Sequence, residues 1–204
     1  MENKQIDFSR CQFLKSAQTP ADFPPEAGPE IAFSGRSNAG KSSALNLLTG
    51  HAKLARVSKT PGRTQLINFF DLDGGARLVD LPGYGYAKVP KDMRQHWREL
   101  IETYIEERAT LRGVVVLMDS RHPLADTDCQ LLTWLQALER PAHVLLTKAD
   151  KLSRSAGEKV LNSVRRELKN LHLDASVQLF SVAPSAGLPE LDGKLKAWIT
   201  KIEG

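Results

Sequence analysis

From Glu30 onward, short unbroken apolar runs alternate with stretches of helical periodicity, and few folds accommodate that alternation. Val114–Met118 and Val144–Leu146 are continuous apolar runs bounded by turns, the pattern of strands covered on both faces. Ile31–Phe33 is a third short run, and Val177–Phe180 a fourth. Leu66–Leu72 and Ala76–Leu81 are strand-like and joined by Asp73-Gly74-Gly75, a tight-turn sequence that suits an antiparallel hairpin. Between the strands, apolar residues fall at helical spacing. Met93, Trp97, Leu100, Ile101, Tyr104 and Ile105 share one helix face. Leu131, Leu132, Leu135 and Leu138 belong to a helix near 126–138, and Leu188, Leu191, Leu195, Ile199 and Ile202 to a last one. Ser155 with Glu158 reads as a capping box for a helix whose stripe is Leu161, Val164, Leu168 and Leu171. The order predicts a three-layer α/β fold: a mostly parallel six-stranded sheet with one antiparallel hairpin strand and helices on both faces. Residues 1–29, which end in the Pro-rich TPADFPPEAGPE, read as an N-terminal extension to a domain over 30–204, packed on the sheet or added to it.

Sheets of this class bind ligands at the carboxyl ends of their strands. The chemically distinctive segments of the chain occupy those positions. Gly35-Arg36-Ser37-Asn38-Ala39-Gly40-Lys41-Ser42 fits G-x-x-x-x-G-K-[ST] between a strand and a helix. Such a loop cradles phosphates with backbone N–H groups and the positive end of the helix. Lys41 offers a point charge to β and γ phosphates, and the Ser42 hydroxyl a ligand for Mg²⁺. Asp80-Leu81-Pro82-Gly83 closes the hairpin 38 residues after Ser42. There a carboxylate can hold Mg²⁺ through water, and the Gly83 N–H can meet a γ-phosphate. Thr147-Lys148-Ala149-Asp150 follows the strand Val144–Leu146. A carboxylate at Asp150 can accept from both N1–H and the exocyclic amine of guanine, a donor pair adenine lacks, and Lys148 can lay its stem over the base. Each of these short patterns occurs by chance in turns. Three in order, each just after a strand, point to GTP or GDP bound with Mg²⁺.

The set resembles the translation-factor class of small GTPases, and within it the EngB (YihA/YsxC) family of bacterial ribosome-assembly GTP-binding proteins. The resemblance covers nearly the whole chain: Phe13-Leu14-Lys15-Ser16-Ala17, GRSNAGKSS, Lys59-Thr60-Pro61-Gly62-Arg63-Thr64-Gln65, DLPGYGYAKV and TKAD. It implies slow GTP hydrolysis, a part in assembly of the large ribosomal subunit on rRNA, and a link to cell division and septation. It also implies that Gly62, Arg63, Thr64, Gln65 and Leu66 belong to a nucleotide-sensing switch. Thr64 would be the second protein ligand of Mg²⁺ and, with Lys41 and Gly83, part of the hydrolytic machinery; Thr60 is its local competitor. Ser181-Val182-Ala183 resembles the final guanine-contacting turn, although the commoner Ser-Ala-Lys pattern is not met. Thr147 stands where many GTPases carry Asn, and Tyr84 where many regulatory GTPases carry a water-orienting Gln. Asn38 resembles the residue that ligates K⁺ in potassium-activated GTPases; the alternative is an Asn that only stabilises its loop by a local hydrogen bond.

Charge adds one further expectation. The chain carries a net +4, but residues 1–30 hold three basic and five acidic side chains, which leaves +6 for the rest. Lys53, Arg56, Lys59 and Arg63 lead to Thr64, and Lys88, Lys91, Arg94 and Arg98 follow Gly83. These form either a nucleotide-dependent surface for rRNA phosphates or a solvated rim. Two rival readings remain from residues alone: a P-loop ATPase or kinase, and an RNA-binding module with incidental nucleotide affinity. No apolar run approaches a membrane span, the N-terminus lacks a signal-peptide build, and Cys11 and Cys129 fit neither a disulfide framework nor a metal site. A cytoplasmic monomer is expected.

Overall fold

The computed structural model describes residues 6–55, 66–84 and 91–201, the side chains of 91–97 excepted. The three-layer α/β expectation holds, with one strand more than the six expected. The strands are β1 (Gln12–Ala17), β2 (Glu30–Gly35), β3 (Ile67–Asp71), β4 (Arg77–Asp80), β5 (Leu111–Asp119), β6 (Ala142–Thr147) and β7 (Ala175–Leu179), ordered β1-β3-β4-β2-β5-β6-β7. The extra strand is β1, paired antiparallel to β3 from Gln12 opposite Asp71 to Ala17 opposite Ile67, with a bulge between Phe13 and Lys15. It is an edge strand, and Phe13 remains 56% exposed, so no alternating apolar pattern announced it. Only β3 runs against the other strands. Its link to β4 needs a left-handed backbone at Gly74 (φ 99°) and Gly75 (φ 85°), which glycine supplies without a Cβ clash.

The helices are α1 (Lys41–Thr49), α2 (Lys91–Glu107), α3 (Asp126–Ala137), α4 (Arg154–Asn170) and α5 (Leu188–Thr200). Alternation along β5 divides the core between the two faces of the sheet. Val114, Val116 and Met118 join Leu100, Tyr104, Leu132, Leu135 and Leu168, while Val115 and Leu117 join Leu45, Leu191 and Leu195. The cap of α4 differs from expectation. Ser153, not Ser155, is the N-cap, its hydroxyl accepting from the Ala156 N–H at 3.3 Å. The helix begins at Arg154, so Ser155 already lies within its first turn.

At the amino end of β2, opposite the strand ends that carry the motifs, Glu30 is fully buried. It accepts from Arg108 at 2.6 and 2.9 Å, Arg77 at 3.3 Å and the Tyr104 hydroxyl at 3.0 Å. Arg108 and Arg77 also donate to the carbonyls of Pro24 (2.8 Å) and Pro25 (2.6 Å). A buried carboxylate thus has both charge partners and hydrogen bonds, and the same arginines tie the Pro-rich connector to the sheet.

Candidate functional site

The Gly35–Ser42 loop leaves β2 and turns into α1. Gly35 is packed so tightly that a Cβ would lie 2.8 Å from the Leu117 carbonyl oxygen. Asn38 (φ 65°) and Gly40 (φ 90°) are left-handed, a conformation glycine adopts freely and asparagine tolerates better than most residues. Gly40 caps α1, so the N–H groups of the helix's first turn are gathered at the loop. Within the loop, Ala39 N–H donates to the Arg36 carbonyl at 3.0 Å. Lys41 forms an ion pair with Asp80, the last residue of β4, and both side chains are nearly buried. The expected phosphate-loop lysine and the expected metal-side carboxylate are therefore adjacent.

The segment after Asp80 stays laced to β2 and the loop. Leu81 N–H donates to the Phe33 carbonyl at 3.0 Å, Tyr84 N–H to the Gly35 carbonyl at 3.2 Å, and Ser37 N–H to the Tyr84 carbonyl at 3.2 Å. Leu81 and Pro82 are buried and Gly83 is half-buried. The Tyr84 side chain turns to α3, where its hydroxyl donates to Asp128 Oδ1 at 2.8 Å. The Arg36 guanidinium goes the same way, with Nε 3.4 Å from Asp128 Oδ1 and Nη2 donating to the His122 carbonyl at 2.7 Å.

At the end of β6, the Thr147 hydroxyl lies 2.6 Å from the Ala39 carbonyl and 3.1 Å from that of Met118. Lys148 is left-handed (φ 58°), and its Nζ donates to Asp119 Oδ2 at 2.9 Å. Arg121 grips the same carboxylate at 2.9 and 2.7 Å. These hydrogen bonds, Arg121's first, hold the Asp119 carboxyl well below the usual carboxylate range. Ala149 N–H donates to the Phe180 carbonyl at 3.1 Å. Asp150 lies 3.0 Å from Lys151 Nζ and accepts from the Ser181 hydroxyl at 3.0 Å; the two, Lys151 first, lower its pKa and keep it an acceptor. Ser181-Val182 pairs with Ser185-Ala186 in a small hairpin that carries Ala183 at its tip.

The structure therefore brings Gly35–Ser42, Asp80–Gly83, Thr147–Asp150 and Ser181 to one end of the sheet. Gly62, Arg63, Thr64 and Gln65 lie outside the described residues, as do Arg56, Lys59, Thr60 and Lys88; Leu66, just before β3, is half-buried. Of the expected basic surface, Lys53 is exposed, and Arg98 is bound to Glu102 at 2.6 Å on the solvent side of α2. Sequence reasoning missed Asp119, Arg121 and Asp128. Each lies outside a recognisable phosphate or guanine motif, and only the carboxyl-end position of Asp119 could have drawn attention to it.

A family model described as 50S ribosome-binding GTPase matches residues 30–148, which span the site from β2 to Lys148. A curated relative from Azoarcus sp. (strain BH72), named Probable GTP-binding protein EngB, is 54% identical over 94% of this chain and 92% of its own length. Another of the same name, from Photorhabdus laumondii, is 50% identical over 98% and 96%. The chain belongs to the EngB family. A solved structure of a probable GTP-binding protein engB superposes with a TM-score of 0.67 at 25% identity, covering 83% of this chain and 98% of that one. As an EngB-family member the protein binds GTP and is a GTPase, which sets aside the ATPase and kinase reading. No helix among the described residues is long and apolar enough to cross a membrane.

Proposed function

We propose that the protein is a GTP-switched cytoplasmic assembly factor for the large ribosomal subunit, acting as a monomer, with cell division and septation depending on that assembly. The observation that carries this reading is the match to a 50S ribosome-binding GTPase model over residues 30–148, which hold the Gly35–Ser42 loop and the Asp80–Gly83 turn. In it, residues 30–204 are the nucleotide-binding domain and residues 1–29 an N-terminal extension that contributes the edge strand β1. Gly35–Ser42 hold the phosphates, with Lys41 on the β and γ groups. Asp150 accepts from guanine, the Lys148 stem covers the base, and the Ser181–Ala183 backbone reaches the base oxygen.

Ser42 and Asp80 suit Mg²⁺, because a hydroxyl and a single carboxylate are hard oxygen donors and this ion completes its shell with phosphate oxygens and water. Asp80 sits beside Lys41, so metal and phosphate partners converge. Thr64 is the third protein residue assigned to the ion. When bound, Mg²⁺ neutralises charge developing on the β and γ oxygens. The chain's own part is to position the phosphates and, with the Gly83 N–H, to register the terminal one.

Co-sedimentation with purified large subunits tests the reading. The protein should pellet with a non-hydrolysable GTP analogue, less so with GDP, and less as salt rises, because basic side chains displace counterions from rRNA. Equal pelleting with GTP analogue, GDP and no nucleotide would support the RNA-binding module instead.

A further inference from the structure

Tyr84 occupies the position after Gly83 at which an orienting Gln would point to the γ-phosphate, yet its ring points elsewhere. Its main chain bonds both Gly35 and Ser37, and its hydroxyl reaches Asp128 at 2.8 Å on the first turn of α3. The Asp128 side chain is fully buried. Its Oδ2 accepts from the Ala125 N–H at 3.0 Å and its Oδ1 from the Tyr84 hydroxyl, while the Arg36 Nε lies 3.4 Å from Oδ1 as an ion pair without a hydrogen bond. Arg36 is itself a residue of the phosphate loop. The three side chains therefore join the end of the Asp80–Gly83 segment, the loop and α3 through one carboxylate.

We infer that this Tyr84–Asp128–Arg36 lock sets the Gly83 N–H against the phosphate loop, making Tyr84 a positioning residue for GTP hydrolysis. The inference rests on the reading of Gly83 as the group that meets the γ-phosphate. A glycine N–H is only as well placed as the chain around it, and hydrogen bonds to a developing charge lose effect quickly with misplacement. The backbone bonds on both sides of Tyr84 set the depth of the segment beside the loop. The hydroxyl, acting at the far end of the ring, fixes its rotation. Burial, then the neighbouring Asp128 charge, pushes the Tyr84 hydroxyl well above the usual tyrosine range, so it remains a donor throughout the physiological interval. The lock also gives α3 a direct connection to the segment that registers the γ-phosphate.

Tyr84→Phe in the full chain removes the hydroxyl and keeps the ring. Because GDP has no γ-phosphate, GDP affinity should stay close to that of the unsubstituted protein. Affinity for a non-hydrolysable GTP analogue, and kcat/KM for GTP, should fall by about ten-fold, the size of one hydrogen bond to a charged partner. Asp128→Ala, which removes the acceptor, should lower kcat/KM similarly, and Tyr84→Phe with Asp128→Ala should lose little more than Asp128→Ala alone, as partners in one contact do. Thermal unfolding of each variant separates this from general loosening. Unchanged kcat/KM and GTP-to-GDP preference in Tyr84→Phe would overturn the lock, as would parallel losses of GTP and GDP affinity that track the melting temperature. If the unsubstituted protein itself showed no preference for the GTP analogue over GDP in its Gly83-dependent contacts, with Gly83→Pro leaving both affinities unchanged, the reading of Gly83 would fail first.

Discussion

Thr147, the last residue of β6, places its hydroxyl 2.6 Å from the carbonyl oxygen of Ala39 in the Gly35–Ser42 loop. Both residues are buried. This one contact ties the proposed base-recognition turn to the proposed phosphate loop, 108 residues away in the chain.

Thr147→Val keeps the shape and removes the donor, which leaves the Ala39 carbonyl buried without this partner. The expected cost is about 1–3 kcal/mol. It should appear in denaturant unfolding and as weaker binding of GTP and GDP alike, since the contact holds loop to turn and touches neither base nor γ-phosphate. A fluorescent-nucleotide titration beside the unfolding curve checks both effects.

That the Gly35–Ser42, Asp80–Gly83 and Thr147–Asp150 segments follow strands was legible because short apolar runs precede each of them. Lys41, Asp80 and Asp150 could be placed at the carboxyl end of a sheet before any coordinate was known. The supporting contacts were not. Asp128 reads in sequence as an ordinary acidic residue at the start of a helix, and only the packing of α3 beside the loop makes it the partner of Tyr84 and Arg36. The strand β1 was hidden for another reason: an edge strand with Phe13 and Leu14 exposed carries no period-two burial signal. The start of α4 turned on a choice between two serines two residues apart, which composition does not decide.

His143 on β6 supplies a pH-dependent test of the core. It is buried, with Nε2 3.0 Å from Gln178 Oε1 and Nδ1 2.8 Å from Ser176 Oγ. The Gln178 amide nitrogen is committed to the Gly187 carbonyl at 2.7 Å, so its oxygen faces the ring and Nε2 carries the proton. Burial, the largest cause, lowers the His143 pKa to about 4. The unfolded chain, with an ordinary value near 6.5, then binds the proton first. Its contribution to stability is complete above about pH 6.5 and is lost as pH falls from there towards 4, by an amount on the order of 3 kcal/mol. Urea unfolding of the unsubstituted protein and of His143→Gln between pH 7 and 4 checks it: the variant should lose less stability over that window.

Asn38 is exposed and left-handed within the phosphate loop. A K⁺ ion ligated there would add positive charge beside the phosphates, the role of an arginine finger, where such charge is worth roughly 10³–10⁵ in rate. GTP turnover should then be faster in KCl than in NaCl at equal ionic strength, and Asn38→Ala should erase the difference. Equal turnover in the two salts would leave Asn38 with its turn-forming role alone.

In the proposed function, loops from β2, β4, β6 and β7 make one guanine-nucleotide site with Asp150 reading the base, so base exchange at that residue is the sharpest test. Titration of the unsubstituted protein and of Asp150→Asn with GDP, XDP and ADP measures the preference. GDP should lie far ahead of the other two for the unsubstituted protein. In Asp150→Asn, GDP should weaken by about 1–3 kcal/mol or more and XDP should overtake it, because the xanthine carbonyl matches the new amide donor. Equal affinity of the unsubstituted protein for ADP and GDP, or an Asp150→Asn variant that still prefers GDP over XDP, would contradict that role for Asp150.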